Sequence, residues 1–362
     1  MLTLVCSLVL AVVAPSVDTL RVTDPAWDLQ PGVTRTEYLA RPAFRAVTGR
    51  GFHRATRLQD GTIDFDVALN GHRSFVYLQF RMVADGEHEE IYLRPHKSGL
   101  PDALQYAPVF RGESAWQLFH REGHTAEVPL AAGRWEHIRL VVSGRQAAVF
   151  VGDTITPAMI VPRLARDPEP GYLAIRGFVP DGSRATEAAF FSNLVVRPGV
   201  VPFQIPAAKP LAAIPGLVRE WQLSESFVTD SGTITALPPV VGRRWTIARA
   251  EEDGLVLVNR HIARPDRARR STILARFQVE ATTAGLRRLA VGFSDEMTVF
   301  VNGRPLVAAR APYSYDHPRQ EGLIGFEQQT VFVPLVAGHN EIVVALTDGF
   351  GGWGVMARWL AD

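Results

Sequence analysis

Planar polar and aromatic side chains concentrate between residues 92 and 116 of this 362-residue chain. The candidate ligand-binding residues in this stretch are Arg94, His96, Asp102, Gln105, Tyr106 and Trp116. An aromatic face packs against the apolar side of a ring, while a guanidinium and a carboxamide supply donors and acceptors for neighbouring hydroxyls. These residue types together are typical of a binding site for a polyhydroxylated molecule.

Bringing these side chains together requires two neighbouring strands around the turn region Pro95–Asp102. If Tyr92 and Arg94 share one face, an antiparallel neighbour that carries Gln105 places its amide beside Arg94. The alternative is structural: Tyr106 and Trp116 are core residues, and Arg94 bonds an acidic neighbour.

A second candidate group lies in the last fifty residues. Tyr313 and Tyr315 fall in an expected loop, and Trp353 lies in the glycine-rich segment Asp348–Gly354. Glycine lets a backbone approach a ligand closely, but it equally permits tight packing. Ligand binding and packing both stay open for this group.

The sequence shows no catalytic set. A glycosidase needs two carboxyl groups at a defined separation, and the Glu-x-Asp-x-x-Glu pattern of glucanases does not occur. Asp64 and Asp66 share a strand face, either as a charged outer surface or as a site. The acidic run Asp85–Glu90 indicates a solvated turn, and no Gly-x-Ser-x-Gly elbow is present.

Metal binding has little support in the sequence. The ten histidines form no His-x-x-x-His arrangement on a helix, since Glu122-Gly123 between His120 and His124 indicates a turn. We therefore predict no metal ligands and no cofactor. Calcium stays open, because backbone and carboxylate oxygens can bind it without a sequence motif.

Composition excludes several classes of protein. The 38 basic and 37 acidic residues leave a net charge of +1, which argues against nucleic acid as a partner. The single cysteine, Cys6, excludes a disulfide framework and a thiolate zinc site.

Residues 1–16 are expected to be a signal peptide. The segment is almost wholly apolar and ends in the small residues Ala14-Pro15-Ser16. It is shorter than a membrane-spanning helix, so no membrane span is expected in the mature protein. A buried N-terminal element is the alternative. We expect the protein to be secreted or periplasmic.

The sequence pattern predicts strands in the rest of the chain. Period-two alternation occurs in Thr62–Leu69, Ser74–Arg81 and Trp135–Val142, each followed by turn residues. A proline-rich segment at 198–215 interrupts the pattern, which then resumes with a hairpin signal at Asn302-Gly303. The prediction is an all-β chain of two antiparallel β-sandwich (jelly-roll) domains, at 25–197 and 216–362, joined by a linker at 198–215.

The first domain resembles the concanavalin A-like lectin/glucanase superfamily, including its laminin G-like members. The residues that carry the resemblance are the Gly133-x-Trp135 strand, its continuation to Val142 and the returning strand Ala148–Asp153. Further similarity, at 92–118, is to secreted bacterial proteins of unassigned activity. The resemblance implies a sandwich fold, which can serve binding or hydrolysis alike.

The second domain resembles the galactose-binding-like jelly roll of secreted glycosidases. The segments that carry this resemblance are Val291–Leu306 and Val336–Leu346. The family implies a binding or packing module and transfers no catalytic residue.

Three functions follow as alternatives. The first is a secreted carbohydrate-binding protein whose partner is a glycan or polysaccharide. The second is a glycoside hydrolase or lyase whose site is built from residues distant in sequence. The third is a structural or assembly module at the cell surface.

Overall fold

The computed structural model describes residues 17–229, 233–266, 269–315 and 321–361. Strands dominate these residues, with one 3₁₀ turn at Pro95–Lys97 and one short helix, α1, at Val258–His261. All strand pairings between the described strands are antiparallel. The predicted all-β, antiparallel fold class is confirmed. The expected signal peptide at 1–16 lies outside the described residues.

The strands of the first part are β1 (Asp18–Leu20), β2 (Trp27–Leu29), β3 (Val33–Tyr38), β4 (Arg41–Ala46), β5 (Gly49–Leu58), β6 (Gly61–Leu69), β7 (Phe75–Ala84), β8 (Glu87–Leu93), β9 (Leu104–Phe110), β10 (Glu113–Ser114), β11 (Thr125–Ala126), β12 (Trp135–Ser143), β13 (Gln146–Val151), β14 (Met159–Val161), β15 (Gly171–Phe178) and β16 (Ala189–Pro198). The segments predicted from alternation correspond to β6, β7 and β12.

The later strands are β17 (Glu220–Ser224), β18 (Phe227–Val228), β19 (Trp245–Arg249), β20 (Val256–Leu257), β21 (Ser271–Ala281), β22 (Gly285–Ser294), β23 (Glu296–Val301), β24 (Arg304–Arg310), β25 (Gln329–Leu335), β26 (Gly338–Asp348) and β27 (Gly354–Trp359). The two-residue turn predicted at Asn302-Gly303 joins β23 and β24, and both of its residues have positive φ.

The chain divides into two compact units that do not follow one cut along the sequence. Unit 1 contains the chain up to Val83, Leu93–Gly99 and Val128–Pro206, and unit 2 contains Ala84–Tyr92, Leu100–Glu127 and the chain from Ala207. The domain boundaries 25–197 and 216–362 stay a prediction.

Unit 1 is built on an eight-stranded antiparallel sheet. Its order is β14-β13-β12-β6-β16-β4-β3, with β1 added to β16. Four further strands of this unit are hydrogen-bonded in the order β7-β15-β5-β2. Alternate residues of β6, including Ile63, Phe65 and Val67, are buried in the core, which leaves the intervening side chains on the other face of the sheet.

The first residues of the proline-rich segment pack against unit 1. Ile205 is buried, and Phe203 lies edge-on to Phe150 at a centroid distance of 5.3 Å. Both join Val141 and Ala148 on the outer face of the eight-stranded sheet. Residues 206–213 of the segment are exposed.

Unit 2 packs two sheets around one apolar core. The larger sheet has the order β19-β17-β21-β26-β23-β24, with β18 added to β21, and the smaller has the order β20-β27-β22-β25. Trp221, Val299 and Val344 of the larger sheet share the core with Val291 and Val355 of the smaller one. Strands β10-β9-β8, with β11 on β9, also belong to this unit.

Candidate functional site

The predicted residues Gln105 and Tyr106 lie in the interior of unit 2. The Gln105 amide donates to the backbone oxygens of Trp116 (2.8 Å) and Phe119 (2.6 Å) and accepts from the hydroxyl of Tyr92 (2.7 Å). Tyr106 is fully buried, and its hydroxyl donates to Glu89 at 2.7 Å. The expected neighbourhood of β8 and β9 is present, but these contacts are internal hydrogen bonds between the two strands and the following loop.

The other predicted residues of this stretch differ in their exposure. Arg94 is buried, and His96 and Asp102 are half-buried. Burial lowers the pKa of His96 to about 4, and the charge of Arg94 adds to this effect, so His96 is neutral at pH 7. Whether any of the three binds a ligand stays a prediction.

Trp116 and Tyr313 come together in unit 2, although they are far apart in the chain. Their rings meet edge to face at 5.2 Å, and Phe350 lies 6.1 Å from Trp116 and 5.9 Å from Tyr313. Phe350 and Tyr315 are exposed, whereas Trp353 is fully buried in the core. The structure therefore joins two of the predicted residues in an aromatic cluster and places Trp353 in the packing role that the sequence left as its alternative.

A different surface, on unit 1, combines charged side chains and aromatic rings that are mostly half-buried. It lies on the outer face of the eight-stranded sheet, where β6 pairs with β12 so that His137 is opposite Asp66 and Arg139 is opposite Asp64. Because side chains alternate along each strand, these four residues point to the same side. We call them, together with Arg41 and Arg197, the charged row.

His137 connects the two carboxylates of the charged row. Its Nδ1 lies 2.8 Å from Oδ1 of Asp66, and its Nε2 lies 3.1 Å from Oδ1 of Asp64. A neutral imidazole has one N–H, so both nitrogens can donate only in the protonated ring. The arrangement is complementary to an imidazolium ion.

The charges of this network shift the pKa values in opposite directions. The hydrogen bond to Asp64 raises the pKa of His137 above 6.5, against the opposing effect of burial. Burial by itself raises the pKa of Asp64, but hydrogen bonds from His137 and Arg139 outweigh it and hold that pKa below 3.8. Asp64 is therefore ionised at neutral pH and unsuited to act as the acid of a hydrolase.

Three arginines complete the network. The Nε of Arg139 donates to Oδ1 of Asp64 at 2.7 Å, and Arg197 donates to its Oδ2. The Nη1 of Arg41 donates to Oδ2 of Asp66 at 2.8 Å. Each carboxylate is thus held by guanidinium and imidazole groups from other strands of the same sheet.

An aromatic groove begins where the charged row ends. Tyr38 and Phe190 stack face to face, with ring centroids 3.8 Å apart and planes 5° apart, and Trp135 meets Tyr38 edge-on at 5.9 Å. A cavity of about 290 Å³ is open along this wall, and its lining includes Asn70 and Glu187. Tyr38 and Phe190 line this cavity, whereas Trp135 lies beside it, and all three residues are half-buried.

The groove is positioned by a tight hairpin between β3 and β4. Tyr38 pairs with Arg41 across a two-residue turn in which Leu39 and Ala40 both have positive φ, 45° and 56°. The hairpin places the Tyr38 ring in the groove and the Arg41 guanidinium 5.5 Å from the centre of the Trp135 ring. Left-handed backbone at two non-glycine residues is strained, and such strain is often associated with functional sites.

Buried acids in unit 2 form a separate group. Burial raises the pKa of Asp348 to about 7, and the pKa of Asp295 is also raised, chiefly by burial. Oδ2 of Asp295 accepts from the backbone N–H groups of Gly349 and Phe350, both at 2.9 Å.

Within the described ranges, no group of three or more His, Cys, Asp or Glu residues is arranged to hold a metal ion. In those same ranges, no helix has the length and apolarity needed to cross a membrane.

No family model and no curated protein matches the sequence. Among solved structures, the chain is similar to the carbohydrate-binding module CBM66 from Bacillus subtilis, at 13% identity over 47% of this chain and 95% of the module, with a TM-score of 0.36. It is also similar to a β-glucanase of Bacillus licheniformis, at 10% identity over 52% of this chain and 99% of that one, with a TM-score of 0.36. A third similar structure is the exoplasmic/lumenal domain of VIP36 bound to Ca²⁺ and Man3GlcNAc, at 12% identity over 51% of this chain and 90% of that domain, with a TM-score of 0.34.

Sequence reasoning missed Tyr38, Trp135, His137 and Phe190 as candidates. A signal was present for two of them: Trp135-x-His137-x-Arg139 alternates on one strand, as Asp64-x-Asp66 does on another. Complementary charges at matching two-residue spacing are typical of cross-strand pairs. Nothing local indicated Tyr38 or Phe190.

Proposed function

We propose that the protein binds a glycan through the aromatic groove and charged row of unit 1. The observation that carries this proposal is the open cavity against the Tyr38–Phe190 stack, with Trp135 and the charged row beside it. Aromatic rings receive the apolar face of a sugar, and the neighbouring planar polar groups bond its hydroxyls.

Internal hydrogen bonds of Asn70 hold the wall of the groove in place. Oδ1 of Asn70 accepts from the backbone N–H of His72 at 2.7 Å, and its amide donates to the backbone oxygen of Glu187. These bonds hold the loop ends at the mouth of the cavity. A fixed wall binds at a lower entropic cost than one that must first become ordered.

At the charged row, binding is favoured over hydrolysis by the state of Asp64 and Asp66. Asp64 and Asp66 are engaged by His137 and by arginines, and the pKa of Asp64 is lowered. A glycosidase acid requires a raised pKa. The alternatives are a hydrolase or lyase function and an assembly role at the cell surface.

The proposed location is secreted or periplasmic, where a polysaccharide partner is accessible. This proposal is supported by the apolar composition of residues 1–16 and their small-residue end.

A glycan array with the full chain tests the proposal. We expect the wild-type protein to bind one class of glycan and Trp135→Ala to lose this binding. Phe332 is an exposed aromatic residue of β25, and Phe332→Ala should bind like wild type. Release of reducing ends from the bound glycan would instead establish hydrolysis. Absence of binding to every glycan on the array would reject the carbohydrate-binding function.

A further inference from the structure

Every carboxylate oxygen of the charged row already accepts a hydrogen bond from within the protein. Oδ1 of Asp64 accepts from His137 and Arg139, and its Oδ2 accepts from Arg197. Oδ1 of Asp66 accepts from His137, and its Oδ2 accepts from Arg41 and from the side chain of Asn193 at 2.7 Å. All four carboxylate oxygens therefore have a donor.

The donors of the same row are in excess. Among the described residues, Arg139 donates only through Nε and Arg41 and Arg197 each donate through one terminal nitrogen, whereas a guanidinium has five N–H groups. The side chains of Arg139, Arg197 and Arg41 are 26%, 33% and 42% exposed. The unused N–H groups are thus within reach of solvent and of a ligand.

The row also carries excess positive charge. Two carboxylates face three guanidinium groups and the imidazole of His137, which gives a net charge of +1 with a neutral ring and +2 with a protonated one. A surface whose carboxylates are already engaged, and which has donors in excess and net positive charge, is complementary to an anion that brings its own acceptor oxygens.

We infer that the site selects acidic glycans, with a sugar ring in the aromatic groove and a carboxylate or sulfate group on the free N–H groups of Arg139 and Arg197. This inference rests on the proposed function and adds the chemical class of the ligand. The charge comes from sugar acids, because Trp135, which meets Tyr38 of the aromatic groove, shares one face of β12 with His137 and Arg139 of the charged row.

The spacing along β12 fits a short oligosaccharide. Trp135, His137 and Arg139 alternate on one face, so the aromatic and cationic ends are about 13 Å apart at ~3.3 Å per residue. Beyond Arg139 the face is covered by Phe203 and Ile205, which pack on Phe150 and Val141. Phe203 and Ile205 therefore bound the charged row on the side of Arg139, and the acidic group belongs near that end of the bound chain.

Binding is expected to strengthen at low pH as His137 gains its proton. The charged groups that face His137 are Asp64 and Asp66 from β6 and Arg41 from β4, which bonds Asp66. Arg139 follows on its own strand, and Arg197 reaches Asp64 from β16. Since both aspartates are held by other cations, the added proton increases the net positive charge of the surface.

The test compares three ligands of equal length on the full chain: an oligogalacturonate, its methyl ester, and a sulfated oligosaccharide. We expect the free acid to bind roughly tenfold more tightly than the ester at low salt, with the preference shrinking as salt rises. Tight binding of the sulfated ligand as well would show that the shared anionic chemistry is recognised. Weak binding of it would assign the preference to carboxylates.

Variants locate the selectivity. Arg139→Gln should lower the acid-to-ester affinity ratio by roughly fivefold, and Arg139→Lys, which keeps the charge but not the fork, should retain part of it. Arg249→Gln, a highly exposed arginine of unit 2, is the matched control and should keep the wild-type ratio. Equal affinity for acid and ester in wild type would overturn the inference while leaving glycan binding intact. Absence of binding by all three ligands and by every glycan of the array would instead reject the proposed function.

Discussion

The Nδ1 of His137 lies 2.8 Å from Oδ1 of Asp66, its directly opposite partner on the neighbouring strand. This pair fixes the orientation of the imidazole, so that its other nitrogen meets Asp64 at 3.1 Å. One cross-strand contact thus organises the charged row and leaves its arginines facing outward beside the aromatic groove.

His137 should titrate above its ordinary pKa of 6.5. Its hydrogen bonds to Asp64 and Asp66 favour the charged form, so the folded state binds the proton more tightly than the unfolded state. The stabilising contribution is complete below pH 6.5 and is lost as pH rises through the folded-state pKa. NMR titration of the His137 ring measures this, and His137→Gln should remove the corresponding change in unfolding free energy. His72→Gln, at an exposed position, is the control, and a His137 pKa at or below 6.5 would refute the imidazolium assignment.

Gln105→Ala should reduce stability. The substitution leaves the backbone oxygens of Trp116 and Phe119 and the hydroxyl of Tyr92 without their amide partner, at a cost of about 2–4 kcal/mol. Urea unfolding measures this cost, and Gln278→Ala, at an exposed position on β21, should be nearly neutral. Loss of glycan binding by Gln105→Ala with unchanged stability would instead support the ligand contact predicted from sequence.

Asp348→Asn should flatten the pH dependence of unit 2 stability. The folded state keeps the Asp348 proton up to about pH 7, whereas the unfolded residue releases it near 3.8. The native state therefore binds more protons between these values, and the unfolding free energy falls as pH rises from about 4 to 7. Chemical unfolding at pH 4.5, 6 and 8 compares the two proteins. An identical slope in wild type and Asp348→Asn would contradict the raised pKa.

Replacing Leu39-Ala40 by Asn-Gly should stabilise the β3–β4 hairpin. Both residues have positive φ, which asparagine and glycine adopt at lower cost, so we expect a gain of about 1–2 kcal/mol. Thermal melting measures the gain, and Ala40→Gly alone should give part of it. A double variant less stable than wild type would show that the exposed Leu39 side chain contributes packing that outweighs the strain.

Alternation along the strands predicted the all-β fold and the shared face of Asp64 and Asp66. It could not predict that His137 lies between them, because that contact depends on the register of β6 against β12, which are more than sixty residues apart in the chain. The groove was equally hidden, since Tyr38 and Phe190 belong to β3 and β16, which β4 separates in the sheet, and their stacking has no local sequence signal.

For the candidate residues between 92 and 116, the sequence could not show which side chains are buried. Every residue of β9 is buried, so alternation cannot distinguish an open face from a covered one there. Gln105 and Tyr106 have the residue types of a sugar site, yet their polar atoms bond to the protein itself. Trp116 and Tyr313 meet only because loops of unit 2 converge, which pairwise spacing in the sequence does not encode.

The most direct test of the central claim is calorimetric titration of the full chain with the glycan that the array identifies. We predict that Trp135→Ala weakens its affinity by about tenfold, the loss of one aromatic contact with a sugar ring, while the variant stays folded. Phe332→Ala should retain the wild-type affinity. Wild-type affinity in Trp135→Ala and also in Tyr38→Ala would show that the glycan binds elsewhere and would contradict the proposed site.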